Sequence, residues 1–234
     1  MALPKLNTQT FELNVPSTDE KIKFRPFLVK EEKVLLQAQQ SEKPEEMANA
    51  LIQVIKNCTF GKLKADNLPS FDIEYIFLKI RAKSVGEKVE LMITCPDDNE
   101  TKVKHTVDLS KVEVEVDDDH NNNIKLTDTV SVIMSYPTVK TFQGANLAGM
   151  NAEEIVSLTG RCIHQIVDGV ETHERADIED KDMDEFLENL TQGQFAEIQK
   201  FFTTMPKLKH EVKVTNPKTK KKGTVTLQGM QSFF

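Results

Sequence analysis

Residues 205–229 have the sequence Met205-Pro-Lys-Leu-Lys-His-Glu-Val-Lys-Val-Thr-Asn-Pro-Lys-Thr-Lys-Lys-Lys-Gly-Thr-Val-Thr-Leu-Gln-Gly229. Apolar residues alternate with polar ones on both sides of a lysine-rich run, which is the period of strands with one buried face. The alternating residues are Val212, Val214, Val225 and Leu227. Pro217 and Gly223 bracket the polar run, as turn residues do. We therefore predict that a β-hairpin closes this part of the chain.

An earlier segment repeats this design. Residues 89–109 have the sequence Val89-Glu-Leu-Met-Ile-Thr-Cys-Pro-Asp-Asp-Asn-Glu-Thr-Lys-Val-Lys-His-Thr-Val-Asp-Leu109, in which a polar run again separates two alternating stretches. Thr94-Cys95-Pro96 stands where the last hairpin has Thr215-Asn216-Pro217. Both hairpins follow segments with helical periodicity, so the sequence predicts a helical segment closed by a hairpin, twice.

A pair of such hairpins is the framework in which a zinc ribbon holds its metal. That site needs C-x-x-C in each hairpin, because four soft ligands must converge tetrahedrally on the ion. Here Cys95 is followed by Asp98 at the second ligand position, and the other hairpin has Asn216 and Thr219. One thiol among four positions predicts a hairpin pair that keeps the ribbon shape and binds no metal.

The pattern elsewhere predicts alternating strands in residues 10–24, then helices at 30–40, 44–57 and 71–83, the last capped by Ser70 and stopped at Gly86. Residues 112–136 are predicted to be mostly strands, and residues 163–167 fit a helix or a strand. Further helices are predicted at 152–158, 182–190 and 194–203, with Asn151 and Thr191 at N-caps.

These elements define an α+β fold class, with helical segments each followed by a zinc-ribbon-like β-hairpin that has lost its metal ligands, and a central antiparallel β region. We divide the chain into three ranges, and we expect the three to form one compact unit. They are 1–86 (N-terminal hairpin and helices), 87–140 (central β region) and 141–234 (C-terminal helices and closing β-hairpin).

Composition narrows the class of function. The formal net charge of −7 disfavours a general nucleic-acid binder, which is more often basic. Three widely spaced cysteines argue against a disulfide framework and for a reducing compartment. The beginning of the chain lacks a signal-peptide core, and no window is apolar enough to span a membrane. We therefore expect a cytoplasmic product that does not enter a membrane.

A calcium-binding loop is an alternative for one polar segment. Asp117, Asp119, Asn121 and Asp128 fall at positions 1, 3, 5 and 12 of a calcium-loop frame. The frame lacks its glycine at position 6 and its glutamate at position 12, and its flanks alternate as strands do. A solvated loop between strands is the simpler interpretation, and we expect no cofactor.

Two surface features are candidates for partner binding. Lys218, Lys220, Lys221 and Lys222 form a basic cluster at the predicted hairpin tip, where they would contact an acidic partner or phosphates, or remain a solvated loop. The residues Met230, Phe233 and Phe234 lie near the C-terminal end, where they would form a docking tail or fold back onto the core. The five histidines join no nucleophilic constellation, so we expect no enzyme.

Five longer phrases resemble the baseplate hub and hub-assembly proteins of contractile-tailed, T-even-type phages. They are Phe24-Arg-Pro-Phe-Leu-Val-Lys-Glu-Glu-Lys33, Asn57-Cys-Thr59, Leu68-Pro-Ser-Phe-Asp-Ile-Glu-Tyr-Ile-Phe-Leu-Lys-Ile-Arg-Ala-Lys-Ser-Val-Gly-Glu87, Phe201-Phe-Thr-Thr-Met-Pro-Lys-Leu-Lys-His-Glu211 and Gln228-Gly-Met-Gln-Ser-Phe-Phe234. The similarity covers nearly the whole chain. Relatives often carry cysteine pairs in the two hairpins, and this sequence keeps only Cys95 there.

The resemblance implies a non-enzymatic tail protein made in the host cytoplasm, as a component or a chaperone-like assembly factor of the baseplate hub. Its implied partners are other hub or tail proteins, with homo-oligomerisation left open. The alternative, from a different class, is a zinc-ribbon-like module that binds nucleic acid through Lys218–Lys222. Steep salt dependence of binding to generic DNA is expected only for that alternative.

Overall fold

The computed structural model describes residues 7–41, 43–142 and 150–233. It is an α+β structure, with six α-helices and several small antiparallel sheets in these residues. The contacts divide the chain into two compact units. The first contains the described residues up to Glu115 together with those from Lys207 onward, and the second contains the described residues from Val116 to Pro206.

The first unit begins with a short hairpin and three helices, close to the predicted positions. The hairpin consists of β1 (Phe11–Asn14) and β2 (Lys21–Phe24), and the helices are α1 (Val29–Ser41), α2 (Pro44–Cys58) and α3 (Ser70–Val85). The N-cap of α3 is Pro69, which makes no side-chain cap hydrogen bond, so the prediction that Ser70 caps this helix was wrong. Gly86, with φ at +134°, ends α3 as predicted.

Two further hairpins complete the first unit. The strands β3 (Lys88–Thr94) and β4 (Lys102–Asp108) form one, and β10 (Lys207–Thr215) and β11 (Lys222–Gln228) form the other. β10 also pairs with β5 (Glu113–Glu115), with Lys207 opposite Glu115. The chain therefore leaves the first unit after β5 and re-enters it in the strand that pairs with β5.

The core of the first unit lies between the two hairpins and α3. Each hairpin turns its alternating apolar residues inward, which is why the period of two was visible in the sequence. The fully or almost fully buried members include Leu78, Val107, Leu109, Val112, Leu208, Val212 and Phe233. α3 is apolar nearly all round, and accordingly it contacts α2, β5, β10 and the C-terminal turn. Phe77 on α3 is buried, as its position on the apolar stripe of this helix predicts.

Two buried carboxylates hold the N-terminal elements of this unit. Glu31 pairs with Arg25, whose Nη2 lies 3.0 Å from Glu31 Oε1. Asp72 on α3 is buried and accepts hydrogen bonds from the backbone N–H of Ser17, at 3.1 Å, and from the Ser17 hydroxyl. Burial raises the pKa of Asp72, and the bonds from Ser17 oppose that effect. The turn between β1 and β2 is thereby fixed to α3.

The second unit is a four-stranded antiparallel sheet with three helices. The strands, in the order in which they pair, are β6 (Asn123–Lys125), β7 (Val130–Met134), β8 (Ile163–Asp168) and β9 (Glu171–Glu174). Residues 163–167, which fitted either state in the sequence, therefore belong to a strand. The helices are α4 (Ala152–Arg161), α5 (Asp180–Glu188) and α6 (Gln192–Thr204). Asn151 and Thr191 occupy the predicted N-caps of α4 and α6, and each of them forms a capping box, which was predicted for Asn151.

An aromatic cluster in the second unit surrounds His120. Its Nδ1 lies 3.0 Å from the Thr204 hydroxyl, and its Nε2 lies 2.9 Å from the Tyr136 hydroxyl. The rings of Tyr136 and Phe201 pack against the imidazole. Desolvation lowers the pKa of His120, so the neutral ring is favoured here. This histidine joins the loop before β6 to α6 and has a packing role.

The two units do not coincide with the three sequence ranges, because the closing hairpin belongs to the unit that contains the N-terminal elements. The division into 1–86, 87–140 and 141–234 stays a prediction. None of the described helices is both long enough and apolar enough to cross a membrane.

Candidate functional site

The turn between β3 and β4 is a compact loop, which we call the acidic tip (residues 95–101). Asn99 donates its backbone N–H to the carbonyl of Cys95 at 3.0 Å, and Cys95 donates to the carbonyl of Thr101 at 2.8 Å. Asn99 has φ at +53°, a left-handed conformation that asparagine tolerates better than most residues. These bonds close the loop on itself.

The turn between β10 and β11, which we call the lysine tip (residues 216–222), is similar, although its closing bond spans one residue fewer. Lys220 donates its N–H to the carbonyl of Asn216 at 2.9 Å, and Asn216 donates to the carbonyl of Lys221 at 2.9 Å. Lys220 stands where the acidic tip has Asn99 and is also left-handed, with φ at +60°. The match between Thr94-Cys95-Pro96 and Thr215-Asn216-Pro217 in the sequence therefore reflects a structural repeat.

The two tips contact each other through Asn216, whose side chain is only 1% exposed. Its Nδ2 donates to Asp97 Oδ1 at 2.9 Å and to Asp98 Oδ2 at 2.8 Å. Its Oδ1 accepts from the backbone N–H groups of Lys218, at 2.8 Å, and Thr219, at 3.3 Å. The amide thus has partners for both its donor and its acceptor atoms, as a buried polar group requires.

The two aspartates are held by further donors. The Thr219 hydroxyl donates to Asp97, and this bond, followed by that from Asn216, lowers the pKa of Asp97. The Thr101 hydroxyl donates to Asp98 at 2.6 Å and is the largest cause of the strongly lowered pKa of Asp98. We call Asp97, Asp98, Asn216 and Thr219 the clasp. It joins the two hairpins through charge-assisted hydrogen bonds.

Close packing accompanies the clasp. Gly223, at the start of β11, lies against the ring of Pro96, and a Cβ at that position would stand 2.6 Å from Pro96 Cγ. That distance is shorter than any contact between carbon atoms that a folded protein retains. Glycine is therefore required here by the approach of the other hairpin, in addition to its turn-forming preference in the sequence.

The residues of the two tips do not fit a zinc ion. Cys95 is the single thiol among the four ribbon positions, and burial raises its pKa, which disfavours the thiolate that zinc needs. The side-chain atoms of Asp98 and Asn216 are engaged with each other and with backbone donors. In the part of the chain that the structure describes, no three His, Cys, Asp or Glu side chains form a group that could hold a metal ion.

Comparison with known protein families decides the identity of the chain. A family model described as T4 bacteriophage base plate protein matches residues 7–234, which is nearly the whole length. The chain belongs to this family. No curated protein and no solved structure matches it. As a baseplate protein, it is assigned to the tail baseplate of the virion and to contacts with other baseplate proteins.

The baseplate protein exposes its lysine cluster. Lys218, Lys220, Lys221 and Lys222 are all exposed at the lysine tip, as their place in a hairpin turn predicts. The clasp holds the backbone of this turn, because Asn216 accepts hydrogen bonds from the N–H groups of Lys218 and Thr219. Sequence patterns did not indicate this contact. The structure thus brings together the four predicted lysines and separates them from the C-terminal candidates.

The C-terminal candidates lie in a different environment. Phe233 is 0% exposed and belongs to the core of the first unit, so its side chain is not available to a partner in the folded protein. Of the two alternatives for this end of the chain, the burial of Phe233 supports the one in which the terminus folds back on the core. Met230 is half-buried, and its backbone N–H donates to Glu74 Oε2 at 3.2 Å. Phe234 lies outside the described residues.

The calcium frame is not assembled as a site. Asn121 uses its side-chain oxygen to accept from the N–H of Asn123 at 2.9 Å, and Asp128 pairs with Lys125 at 3.1 Å. Asp119 lies 4.0 Å from Lys200 on α6. These side chains therefore serve separate local contacts, which supports the interpretation of the segment as a solvated loop.

Replacing Asn216 by alanine is expected to lower the free energy of unfolding of the baseplate protein by about 2–3 kcal/mol. The substitution removes two hydrogen bonds to carboxylates and leaves two backbone donors of the lysine tip without their acceptor. Urea denaturation of the two proteins checks this. An unchanged midpoint would mean that water replaces the clasp without loss.

The contribution of the clasp is expected to decrease in acid. The pKa of Asp98 is lower in the folded protein than its ordinary value of about 3.9, so its stabilisation is complete above that value and declines as the pH falls through the folded pKa. Asp98→Asn should therefore destabilise the protein at neutral pH, and the difference from the wild type should narrow below about pH 4. Measuring the difference between the two proteins removes the opposite contribution of Asp72, whose pKa is raised. A difference independent of pH would exclude a role for the Asp98 charge.

Proposed function

We propose that this baseplate protein is a non-enzymatic component or chaperone-like assembly factor of the baseplate hub that acts through protein–protein contacts. The observation that carries the proposal is the match of the family model over residues 7–234. Because the match spans both compact units, the proposal concerns the whole described chain and not one module of it. Assembly in the host cytoplasm before incorporation into the tail is part of the proposal.

The environment of the reactive side chains supports a non-enzymatic role. All three cysteines are buried, and desolvation raises the pKa of Cys58 to about 11 and that of Cys162 to about 12. Such thiols are poor nucleophiles at neutral pH. His120 uses both ring nitrogens in contacts with hydroxyl groups inside its aromatic cluster. These groups are arranged for packing.

The lysine tip is the proposed partner-binding element. Its four lysines lie at the end of the hairpin formed by β10 and β11, and the apolar face of this hairpin is buried in the core of the first unit. The lysines are therefore accessible while the hairpin stays folded. Electrostatic contacts of this kind accelerate association with an acidic protein surface. Exposed lysines are also found in nucleic-acid-binding modules, which are the second candidate function. Measuring the binding of a duplex DNA to the purified protein tests this candidate.

The proposed function is tested by following a tagged copy during infection. Intact virions and tail intermediates are purified separately, and their proteins are identified by mass spectrometry. A component is expected in both fractions, whereas an assembly factor is expected only in the intermediates together with hub proteins. Recovery in neither fraction would overturn the proposal. Catalytic turnover of a host or phage metabolite by the purified protein would overturn its non-enzymatic part.

A further inference from the structure

Four lysines without an ion pair lie within one turn at the end of the closing hairpin. Lys33, Lys62 and Lys64 are also unpaired among the described residues, but they are scattered along the first unit. Many of the other lysines of this unit form ion pairs, including Lys21 with Glu12, Lys56 with Asp66, Lys79 with Glu113, Lys83 with Glu87 and Lys104 with Glu90. The four lysines of the lysine tip and Lys213 form no ion pair with a described residue. The carboxylates nearest to the tip, Asp97 and Asp98, are instead occupied by Asn216 and by threonines.

The backbone that carries these lysines is fixed before any partner arrives. Asn216 accepts from the N–H groups of Lys218 and Thr219, and its own backbone bonds to Lys220 and Lys221. A preorganised loop loses less conformational entropy on binding than a flexible basic tail does. The clasp therefore gives the cluster a defined geometry.

The backbone conformation of Lys220 is a second observation that indicates a binding role. Lys220 occupies the left-handed position at which the acidic tip has Asn99, and a lysine is strained there because its Cβ approaches the backbone. The same turn in this chain can therefore be built with a residue that tolerates the conformation better. A strained residue with an exposed charge is typical of a recognition element.

The surface continues along the hairpin. Lys213 pairs with Thr224, and Thr215 pairs with Lys222, so the two lysines lie on the same exposed face two residue pairs apart. That face is otherwise polar, with threonines on both strands. An extended segment can lie along this face between Lys213 and Lys222, and Glu211 lies beyond Lys213 on the same face.

We propose that the lysine tip and Lys213 form a preorganised docking surface for an extended acidic segment of another protein. The clasp residues Asp97, Asn216 and Thr219 act as positioning residues, since they hold the loop and leave the lysine charges free. This proposal rests on the proposed function, because it names the chemistry of the partner that the lysine tip takes.

The charges around the tip favour an acidic protein segment over nucleic acid. Duplex DNA carries a negative charge about every 1.7 Å, and it would meet the carboxylates of Asp97 and Asp98 in the adjoining tip. The net charge of −7 repels both kinds of partner at long range, and it repels a duplex of high charge density more strongly than a short acidic segment. A single acidic segment can contact the lysines and avoid those carboxylates.

The test uses purified full-length protein and two fluorescein-labelled probes, a peptide of alternating Glu and Ser residues and a duplex DNA of similar length. We expect the peptide to bind at low salt and to dissociate as salt is raised, because exposed ion pairs are screened. The triple variant Lys218→Gln/Lys221→Gln/Lys222→Gln should bind the peptide about tenfold more weakly. The matched control is Lys33→Gln/Lys62→Gln/Lys64→Gln, which removes the same charge from exposed lysines elsewhere in the unit. It should bind within about twofold of the wild type.

Two further variants separate charge from positioning. Lys220→Asn relieves the left-handed strain, so it should raise the melting temperature while it weakens peptide binding. Asn216→Ala retains all the lysines, and it should weaken binding at a temperature at which the protein is still folded by circular dichroism. Equal losses in the triple variant and its control would overturn the docking surface. Tighter binding to DNA than to the peptide would overturn it in favour of a nucleic-acid module. Neither result affects the test of the proposed function, which depends on whether the protein is found in virions and tail intermediates.

Discussion

Replacing Phe233 by alanine is expected to lower the free energy of unfolding of the first unit by about 3–5 kcal/mol. The ring is fully buried in the core between the two hairpins, with Leu78, Leu109 and Leu208 among the members of the same cluster. Its removal exchanges these contacts for a cavity that the surrounding β-structure fills only in part. Thermal and urea denaturation of the purified variant measure the loss.

Met92 supplies the control for this prediction. It lies in the same unit but is 62% exposed, so Met92→Ala should change the free energy of unfolding by less than about 0.5 kcal/mol. Deleting residues 230–234 should destabilise the protein at least as much as Phe233→Ala, because the deletion also removes the N–H that bonds to Glu74. A truncated protein with an unchanged melt would show that Phe233 lies outside the core, and would return the end of the chain to the candidates for docking.

Replacing Glu31 by alanine is expected to cost about 3–5 kcal/mol, because it leaves the guanidinium of Arg25 buried without its anion. Glu31 is 0% exposed, and its Oε1 lies 3.0 Å from Arg25 Nη2. Its Oε2 accepts from the N–H of Leu28 at 2.8 Å, so the carboxylate also holds the start of α1. Burial raises the pKa of Glu31, but the hydrogen bonds from Arg25 and Leu28 outweigh burial and leave the pKa below its ordinary value.

The comparison that isolates this pair is a second substitution. Arg25→Met/Glu31→Leu removes both charges and keeps apolar volume, so it should recover most of the stability that Glu31→Ala loses. Glu46→Ala breaks an exposed pair with Lys43 and should change the urea midpoint far less than Glu31→Ala does. If Glu31→Ala and Glu46→Ala had equal effects on the urea midpoint, the Arg25–Glu31 pair would have no special role in the fold.

Local patterns were sufficient to predict most of the secondary structure. The alternation of apolar residues located both hairpins of the first unit, because one face of each is buried along its whole length. Capping boxes at Asn151 and Thr191 depend on residues three positions apart, so the sequence displays them directly. The repeat of Thr-Cys-Pro as Thr-Asn-Pro likewise indicated two turns of one type.

The contacts between distant residues were beyond such patterns. The amide of Asn216 meets Asp97 and Asp98, more than a hundred residues earlier in the chain, and nothing near Asn216 indicates that its side chain is buried. Glu31 looks like an ordinary charge in the first turn of a helix, and only the approach of Arg25 makes its burial possible. For Phe233 the sequence was compatible with two roles, as part of a docking tail or as a residue of the core.

The sequence by itself determined most of the strands and helices, the position of four lysines at a hairpin tip, and the resemblance of the chain to a phage baseplate family. These properties depend on the order of neighbouring residues. Only the tertiary structure decided that β5 pairs with β10, although all the residues of the second unit lie between them in the sequence. It also decided that Phe233 belongs to the core and that Asn216, Asp97 and Asp98 hold the lysine tip. The physical reason is that burial and hydrogen-bond partners are set by which surfaces meet after folding, and a local period specifies the face of an element but not what covers it.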